Sequence, residues 1–223
     1  MHLDLDIDKT LRSGARCFRL RATFTAHSDR VVVLGPSGAG KSLLLKTIAG
    51  LETPDHGHIR LGGDTLFDAR AGIRLTPQQR HMAYVFQDYA LFPHLNVRQN
   101  VGFGLQRGWR NPPRRSGGRT VDDWLPALEL EAVAHQYPHE LSGGQRQRTA
   151  LARALATAPR ALLLDEPFSA LDAGLRASMR AQLDALQRRL QVPMVLITHD
   201  PEDARLFGGQ VLTLRDGAVE QLT

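Results

Sequence analysis

The sequence predicts an α/β fold: a core with a mostly parallel sheet, an antiparallel β part at the N-terminus and an inserted α-helical subdomain. Short apolar runs typical of buried parallel strands recur, namely VVVLG (31–35), ALLLD (161–165) and PMVLITHD (193–200). Helical patterns separate these runs, as in chains whose helices cover a parallel sheet. Strand signals disappear between about residues 96 and 158. We therefore predict one domain over residues 1–223, with a core at about 1–95 and 159–223 and a helical subdomain at about 96–158.

The first elements are predicted as half-buried strands because apolar residues alternate with polar ones. The alternating positions are Leu3, Leu5 and Ile7, and then Phe18, Leu20, Ala22 and Phe24. After VVVLG and a glycine-rich turn, SLLLKTIAGL (42–51) predicts a helix that ends at Gly50. HIRLGGDTLF (58–67) has a Gly-Gly hairpin signal, and MAYVFQ (82–87) predicts another strand.

The second half of the chain begins with helices and returns to the α/β pattern. Helices are predicted for NVRQNVGFGL (96–105), for VDDWLPALELEAVA (121–134) and for the segment after LSGGQ (141–145). A long amphipathic helix is predicted for LDAGLRASMRAQLDALQRRLQ (171–191) between two buried strands. VLTLRDGAVEQL (211–222) predicts a final hairpin that turns at Asp216 and Gly217.

Composition narrows the class of protein. A hydrophobic fraction of 42% is sufficient for a packed core, and the single cysteine, Cys17, is typical of a reducing compartment. The N-terminus has no apolar signal region, so we expect no secretory signal peptide. The net charge of +5 raises nucleic acid as a partner, but the dense basic stretch RGWRNPPRRSGGR (107–119) reads as a loop with no accompanying nucleic-acid motif. We therefore expect no nucleic-acid partner.

GPSGAGKS follows a predicted strand and precedes a predicted helix, which is the context of a phosphate-binding loop. Its residues are Gly35, Pro36, Ser37, Gly38, Ala39, Gly40, Lys41 and Ser42. The glycines let backbone N–H groups surround phosphate oxygens, and the helix N-terminus adds partial positive charge. The pattern predicts that Lys41 contacts the β- and γ-phosphates of a nucleotide and that Ser42 binds the Mg²⁺ ion.

The buried strand ALLLD ends in two adjacent carboxylates. Asp165 is predicted to hold the Mg²⁺ shell, as in other phosphate-loop proteins. Glu166 follows at the strand tip, where it can polarise a water for attack on the γ-phosphate. Read alone, Glu166 is an ordinary loop carboxylate, but its place directly after Asp165 favours the catalytic interpretation.

The segment LSGGQ is a second arrangement suited to phosphate. Its residues are Leu141, Ser142, Gly143, Gly144 and Gln145. Ser142 is predicted to cap a helix, and the glycines permit close backbone approach to a ligand. The chain thus carries two phosphate-binding patterns.

The ordered set GPSGAGKS, Gln87, LSGGQ, LLLDEP, SALD (169–172) and His199 resembles ATP-binding cassette ATPases over essentially the whole chain. The resemblance implies ATP and Mg²⁺ as cofactors. It implies that Gln87 senses the Mg²⁺ ion and the γ-phosphate, and that His199 contacts the γ-phosphate and positions the attacking water. It also implies a head-to-tail homodimer in which LSGGQ faces the phosphate loop of the second copy, with Asp172 at the interface.

Two further stretches resemble importers of the bacterial nutrient type, namely DEPFSALD (165–172) and QDYALFPHLNVRQNV (87–101). This resemblance implies integral membrane permease subunits as partners, a periplasmic or surface solute-binding protein behind them, and a peripheral position on the cytoplasmic face of the membrane. The residues after Gln87, namely Tyr89, Leu91, Phe92 and Pro93, either line a groove for a permease helix or pack against the helical subdomain.

The cargo is predicted from resemblance alone. FDARAGIRLTPQQRHMAYVFQ (67–87) is most similar to molybdate importer ATPases, and we expect the C-terminal oxyanion-binding domain of such subunits to be absent. Sulfate and thiamine importers, and a cassette acting on DNA, remain alternatives. The family's usual aromatic contact to adenine is missing before the second strand. The alternation of Phe18 with Leu20 indicates a core role, which leaves Arg12 or Arg16 to stack a guanidinium group on the base.

Overall fold

The computed structural model describes residues 1–14, 16–106, 111–113 and 118–222. The strands in these ranges are β1 (Leu3–Ser13), β2 (Arg16–Ala26), β3 (Arg30–Leu34), β4 (His56–Leu61), β5 (Asp64–Asp68), β6 (Ile73–Arg74), β7 (Met82–Val85), β8 (Ala161–Asp165), β9 (Met194–Thr198), β10 (Gln210–Arg215) and β11 (Ala218–Leu222). The helices are α1 (Lys41–Ala49), α2 (Pro77–Arg80), α3 (Val97–Gly102), α4 (Gly118–Ala127), α5 (Gly143–Ala156), α6 (Ala173–Leu190) and α7 (Pro201–Phe207). Most of the basic stretch predicted as a loop, residues 107–110 and 114–117, lies outside the described residues.

The described strands form one sheet in the order β6-β5-β4-β1-β2-β11-β10-β3-β9-β8-β7. Strands β10, β3, β9, β8 and β7 are parallel neighbours. Strands β1, β2, β4, β5 and β6 are antiparallel. This confirms the predicted fold class, a parallel core joined to an N-terminal antiparallel part.

Hydrophobic residues pack on both faces of the parallel strands. Along β3, Val32 belongs to a cluster with α5 and α6, while Val31 and Val33 belong to a cluster with α1 and the antiparallel strands. Along β8, Leu162 belongs to the first of these clusters and Leu163 to the second. Because both faces are covered, these strands read as continuous apolar runs rather than as alternating ones.

Capping residues mark the starts of two helices between β7 and β8. Asn96 with Gln99, and Ser142 with Gln145, form reciprocal capping boxes at the starts of α3 and α5. The observed helix α4 ends earlier than the helix predicted over 121–134. It stops at Ala127, and Glu129 turns the chain with a φ of 55°. A single 3₁₀ turn, Glu131–Val133, follows it.

Within the described residues, no helix combines the length and the apolar character needed to cross a bilayer.

Candidate active site

Residues predicted to carry the chemistry meet at the carboxyl ends of four adjacent parallel strands. The phosphate loop (residues 35–42) follows β3, His199 follows β9, Asp165 ends β8, and Gln87 follows β7 after one residue. The register aligns these ends, since Leu34 pairs with Thr198 and Asp165 pairs with Ile197. Ligands of open α/β sheets bind at this edge.

Close packing shapes the phosphate loop. Gly40 has a φ of 101° and precedes the first residue of α1, and a Cβ atom there would lie 2.8 Å from the ring of Phe18. A Cβ atom on Gly35 would lie 2.2 Å from the carbonyl oxygen of Leu214. Larger residues are therefore excluded at both positions, and the loop keeps its backbone close around the N-terminus of α1.

Lys41 is buried within this loop. Its Nζ atom donates hydrogen bonds to the carbonyl oxygens of Gly35 at 2.8 Å and Pro36 at 3.0 Å, and it lies 3.2 Å from Oε1 of Glu166. A buried ammonium group requires such partners. The phosphate oxygens of a nucleotide are alternative partners of the same kind, so the loop is suited to bind them.

Three oxygen-bearing side chains meet beside Lys41. The Ser42 hydroxyl donates to Oδ1 of the buried Asp165 at 3.0 Å, and the Tyr84 hydroxyl donates to Oδ2 of Asp165 at 2.7 Å. Burial raises the pKa of Tyr84, and the hydrogen bond to Asp165 adds to this, so Tyr84 remains a donor. Hard oxygen ligands are those that Mg²⁺ prefers, so Ser42 and Asp165 fit the predicted ion. Tyr84 was missed by sequence reasoning because only the folded sheet brings it to Asp165.

Glu166 stands between Lys41 and His199. Its Oε2 atom lies 3.1 Å from Nδ1 of His199, while Oε1 faces Lys41. Its φ of 45° is unusual for a residue other than glycine and costs about 1–3 kcal/mol. Backbone bonds hold this conformation: Glu166 donates to the carbonyl of Ile197, and Ser169 donates to the carbonyl of Glu166. Such strain is typical of functional positions.

A buried ionic cluster supports the segment that carries His199. Arg180 on α6 donates to Asp203 at 2.6 Å and to Asp200 at 2.6 Å. Asp203 accepts a hydrogen bond from the Thr198 hydroxyl, and that hydroxyl accepts one from the backbone N–H of Asp200. The residues on both sides of His199 are thereby fixed to α6. No sequence pattern indicated this cluster, because Arg180 lies 20 or more residues before its acidic partners and meets them only after folding.

Gln87 is exposed beside this group of residues. It lines a cleft together with Ser42 and Asp165. Of the residues that follow it, Tyr89 is buried in the core, Leu91 and Phe92 are half-buried, and Pro93 is exposed. Tyr89 thus packs in the core, as the second interpretation predicted, whereas Phe92 and Pro93 remain accessible to a partner.

The LSGGQ residues form the start of α5. The Ser142 hydroxyl accepts from the backbone N–H of Gln145, and the Gln145 side chain accepts from the backbone N–H of Ser142. Gly144 packs against Leu175 of α6, where a Cβ atom would lie 3.0 Å from a side-chain methyl. Among the described residues, no hydrogen bond or ion pair joins residues 141–145 to the phosphate loop. Asp172 is exposed and accepts from the backbone N–H of Leu175 as the N-cap of α6.

The residues considered for a contact to adenine lie on different faces of the β1–β2 hairpin. Phe18 is partly buried and packs on Gly40, which agrees with a core role. Arg12 pairs with the exposed Cys17, on the opposite face of the hairpin from Phe18. The geometry therefore does not favour Arg12, and the Arg16 side chain lies outside the described residues.

Comparisons with known proteins point to one family. A family model described as "ABC transporter" matches residues 21–169. The Fe(3+) ions import ATP-binding protein FbpC of Pseudomonas fluorescens is 49% identical over 86% of this chain and 53% of its own length. The sulfate/thiosulfate import ATP-binding protein CysA of Synechocystis is 46% identical over 86% of this chain and 52% of its own length. The chain thus spans about half the length of these relatives.

Solved structures of ATP-binding cassettes share the fold of this chain. A dimeric structure of the ATP-binding cassette MJ0796, described as a post-hydrolysis state bound to ADP and Pi, is 32% identical. It matches with a TM-score of 0.81 over 100% of this chain and 98% of that chain. The chain belongs to the ABC transporter family.

Proposed function

We propose that this chain is the ATP-binding and ATP-hydrolysing subunit of an ABC importer. The observation that carries the proposal is the convergence of Lys41, Ser42, Asp165, Glu166 and His199 at one edge of the sheet. A phosphate loop, an oxygen-ligand pair and a carboxylate–histidine pair are the parts needed for hydrolysis of a nucleoside triphosphate.

Each residue has a role that its contacts support. Lys41 and the loop backbone bind the phosphates. Ser42, Asp165 and Gln87 would hold Mg²⁺, which would supply positive charge against the phosphate oxygens. Glu166 accepts a proton from the attacking water, and His199 orients Glu166 through their 3.1 Å contact. Tyr84 fixes the orientation of the Asp165 carboxylate.

The second phosphate pattern, LSGGQ, serves the nucleotide of a second copy in this proposal. The N-terminus of α5 carries the partial positive charge that attracts phosphate, and Ser142 and Gly144 lie at that end. A head-to-tail homodimer would place this end against the other copy's phosphate loop. The dimeric MJ0796 structures support such a pair.

Permease subunits are the proposed membrane partners, which would place the chain at the cytoplasmic face of the bacterial membrane. Phe103 and Leu105 are exposed apolar side chains, and the Phe103 ring lies 4.2 Å from the Phe92 ring. We call the neighbouring rings of Phe92 and Phe103 the apolar surface near Phe92, and a permease helix can dock on it. A periplasmic or surface solute-binding protein would deliver the cargo to the permease.

The cargo is proposed to be a small oxyanion. Molybdate remains the prediction from residues 67–87, and sulfate is a supported alternative because several relatives are sulfate/thiosulfate import proteins. Other relatives are named for Fe(3+) ions and for spermidine/putrescine. Measuring which solute stimulates ATP hydrolysis by the reconstituted complex of this chain with its permease and solute-binding protein discriminates among them.

The activity itself is tested by comparing Lys41→Ala with the wild-type protein. The substitution removes the buried ammonium group, so we expect tight binding of a fluorescent ATP analogue and Mg²⁺-dependent ATP hydrolysis to be lost. Lys9→Ala is the control, because Lys9 pairs with Asp55 on the surface of the antiparallel part. Wild-type affinity in Lys41→Ala would contradict the assignment. Stimulation of hydrolysis by DNA rather than by permease subunits would favour the alternative of a cassette acting on DNA.

A further inference from the structure

The segment after β7 carries an unusual backbone, and one side chain from another part of the molecule holds it. We call residues 86–95 the Gln87 loop. Tyr89 and Ala90 are consecutive and have φ values of 65° and 42°, a left-handed conformation that residues other than glycine rarely adopt. Arg153 of α5 donates to the carbonyl oxygen of Tyr89 at 2.9 Å and to that of Ala90 at 2.8 Å.

The environment of Arg153 suits this bidentate contact. Its guanidinium lies 5.5 Å from the centre of the Phe92 ring, which belongs to the same loop. Burial lowers the pKa of Arg153, and the nearby Asp88 partly opposes this effect. A guanidinium group is planar and presents its donors in a fixed fork, so it can bind two neighbouring carbonyls at once, which an ammonium group does less well.

The rest of the Gln87 loop is also tied to helices of the predicted helical subdomain. The fully buried Asn100 of α3 accepts from the backbone N–H of Phe92 and donates to the carbonyls of Phe92 and Leu95. Among the described residues, the side-chain hydrogen bonds that reach this loop from outside it come from Asn100 and Arg153. These side-chain hydrogen bonds tie the loop to α3 and α5.

Tyr89 extends the same interface along α5. Its side chain is buried, and its hydroxyl has no hydrogen-bond partner among the described residues. Burial raises the pKa of Tyr89, and the charge of Arg146, in the first turns of α5, partly opposes this. Gln147 on the same helix is fully buried, and neither of its amide atoms has a partner within the described part of the chain.

We propose that Arg153 is a positioning residue that latches the Gln87 loop to α5, so that movement of Gln87 is transmitted to Ser142 at the start of the same helix. The inference rests on the proposed function, because it links the residue proposed to sense the γ-phosphate with the pattern proposed to bind the other copy's phosphate. ATP bound at Gln87 would then set the orientation of α5 before the two copies close.

The test compares Arg153→Lys with Arg148→Lys. Arg148 is the matched control: it lies on the same helix and carries the same charge, but it pairs with Glu129 rather than with the Gln87 loop. Hydrogen–deuterium exchange of the proteins without nucleotide should show faster exchange at residues 88–92 and at the start of α5 in Arg153→Lys only. This measurement needs no ATP, so it tests the latch even if the proposed function is wrong. Unchanged exchange in both regions would overturn the latch.

A second measurement uses nucleotide. Arg153→Lys should bind a fluorescent ATP analogue as the wild type does. Its steady-state ATP hydrolysis, measured with Glu166 intact, should fall about tenfold or more, and so should ATP-driven dimerisation, measured with Glu166→Gln added. An effect of this size is expected when a charged hydrogen bond is lost. Arg148→Lys should retain both. If Arg153→Lys instead melts far below the control and loses ATP binding as well, Arg153 has a general structural role and the latch is wrong.

A rescue variant separates transmission from local shape. Glycine adopts the left-handed conformation without strain, so adding Ala90→Gly to Arg153→Lys eases the loop's own geometry but cannot rebuild its connection to α5. We expect dimerisation to stay impaired in this double variant. Recovery to the wild-type level would show that Arg153 acts only on the shape of the loop and would overturn the proposed transmission.

Discussion

At the scale of single residues, the proposed catalytic base is restrained from three directions. Lys41 and His199 each contact one oxygen of the Glu166 carboxylate, and the backbone of Glu166 is held in a left-handed conformation. A base so restrained loses little further freedom when it binds a water molecule. Restraint of this kind contributes to rate because the reacting groups are positioned in advance.

Asp172 shows how one side chain can have a structural and an interface role. The family resemblance places it at the dimer interface, and the structure shows it as the N-cap of α6. We predict that Asp172→Ala lowers the free energy of unfolding by about 1 kcal/mol. Asp172→Asn should stay near the wild-type value, because asparagine keeps the side-chain oxygen that accepts from Leu175.

Urea unfolding measures the structural part of this prediction, and ATP-driven dimerisation measures the other. If the charge of Asp172 contributes to the interface, both variants should dimerise less well, although only one is destabilised. Equal stability of the Ala and Asn variants would contradict the capping role.

At the scale of elements, the helix after the phosphate loop is held at both ends. Its C-terminal end is bound by Arg80, which is almost fully buried and donates to the carbonyls of Thr47 and Ile48, both at 2.8 Å, and to that of Leu75 at 3.1 Å. Gly50 permits this contact, because a Cβ atom there would lie 2.6 Å from the guanidinium. Burial lowers the pKa of Arg80 to about 10, so the group stays charged at neutral pH and complements the negative end of α1.

Removing this arginine should destabilise the protein strongly. We predict that Arg80→Gln lowers the free energy of unfolding by about 3 kcal/mol or more, because several charge-assisted hydrogen bonds are lost and buried carbonyls are left without donors. Arg74→Gln is the control, since Arg74 is exposed on β6. Thermal or urea unfolding measures both, and similar stabilities of the two variants would contradict the role given to Arg80.

Most elements could be predicted from local pattern, whereas the supports of the site could not. The strand ALLLD and the capped helix after Ser142 are visible in the sequence because burial and capping depend on neighbouring residues. The contacts of Tyr84 with Asp165, of Arg80 with α1 and of Arg153 with Ala90 join residues more than 30 positions apart. Arginine and tyrosine at these positions look like any surface residue until the fold is known. The early end of α4 was likewise hidden, because its apolar pattern continues past Glu129.

At the scale of the whole molecule, the sheet joins two regions with different tasks. The parallel strands carry the phosphate loop and the proposed catalytic carboxylate, and the segment between β7 and β8 carries LSGGQ and the apolar surface near Phe92. The boundaries of the helical subdomain near residues 96 and 158 stay a prediction. The Gln87 loop connects the two regions, which makes it the place where a membrane partner would influence hydrolysis.

Contact with a permease is testable at this loop. Ala90 is exposed beside Gln87, so a cysteine introduced there should crosslink to a permease loop in native membranes. Cys17 is exposed and must first be replaced by serine. A cysteine at Arg74, on the far edge of the sheet, should give no such crosslink. Crosslinks from Ala90→Cys that reach only other soluble proteins or nucleic acid would contradict the importer assignment.

The central claim is that two copies enclose ATP between the phosphate loop of one and Ser142 of the other, and that Glu166 starts its hydrolysis. The most direct measurement is the molecular mass of Glu166→Gln by size-exclusion chromatography with light scattering, with MgATP and with MgADP, alone and with the permease subunits present. Glutamine keeps the size of the side chain but cannot accept the proton, so turnover should fall about 10²–10⁴-fold while ATP binding persists. We predict a dimer with MgATP, a monomer with MgADP, and no dimer when Ser142→Arg is added. A Glu166→Gln protein that hydrolyses ATP at the wild-type rate, or that stays monomeric with MgATP under both conditions, would contradict the account.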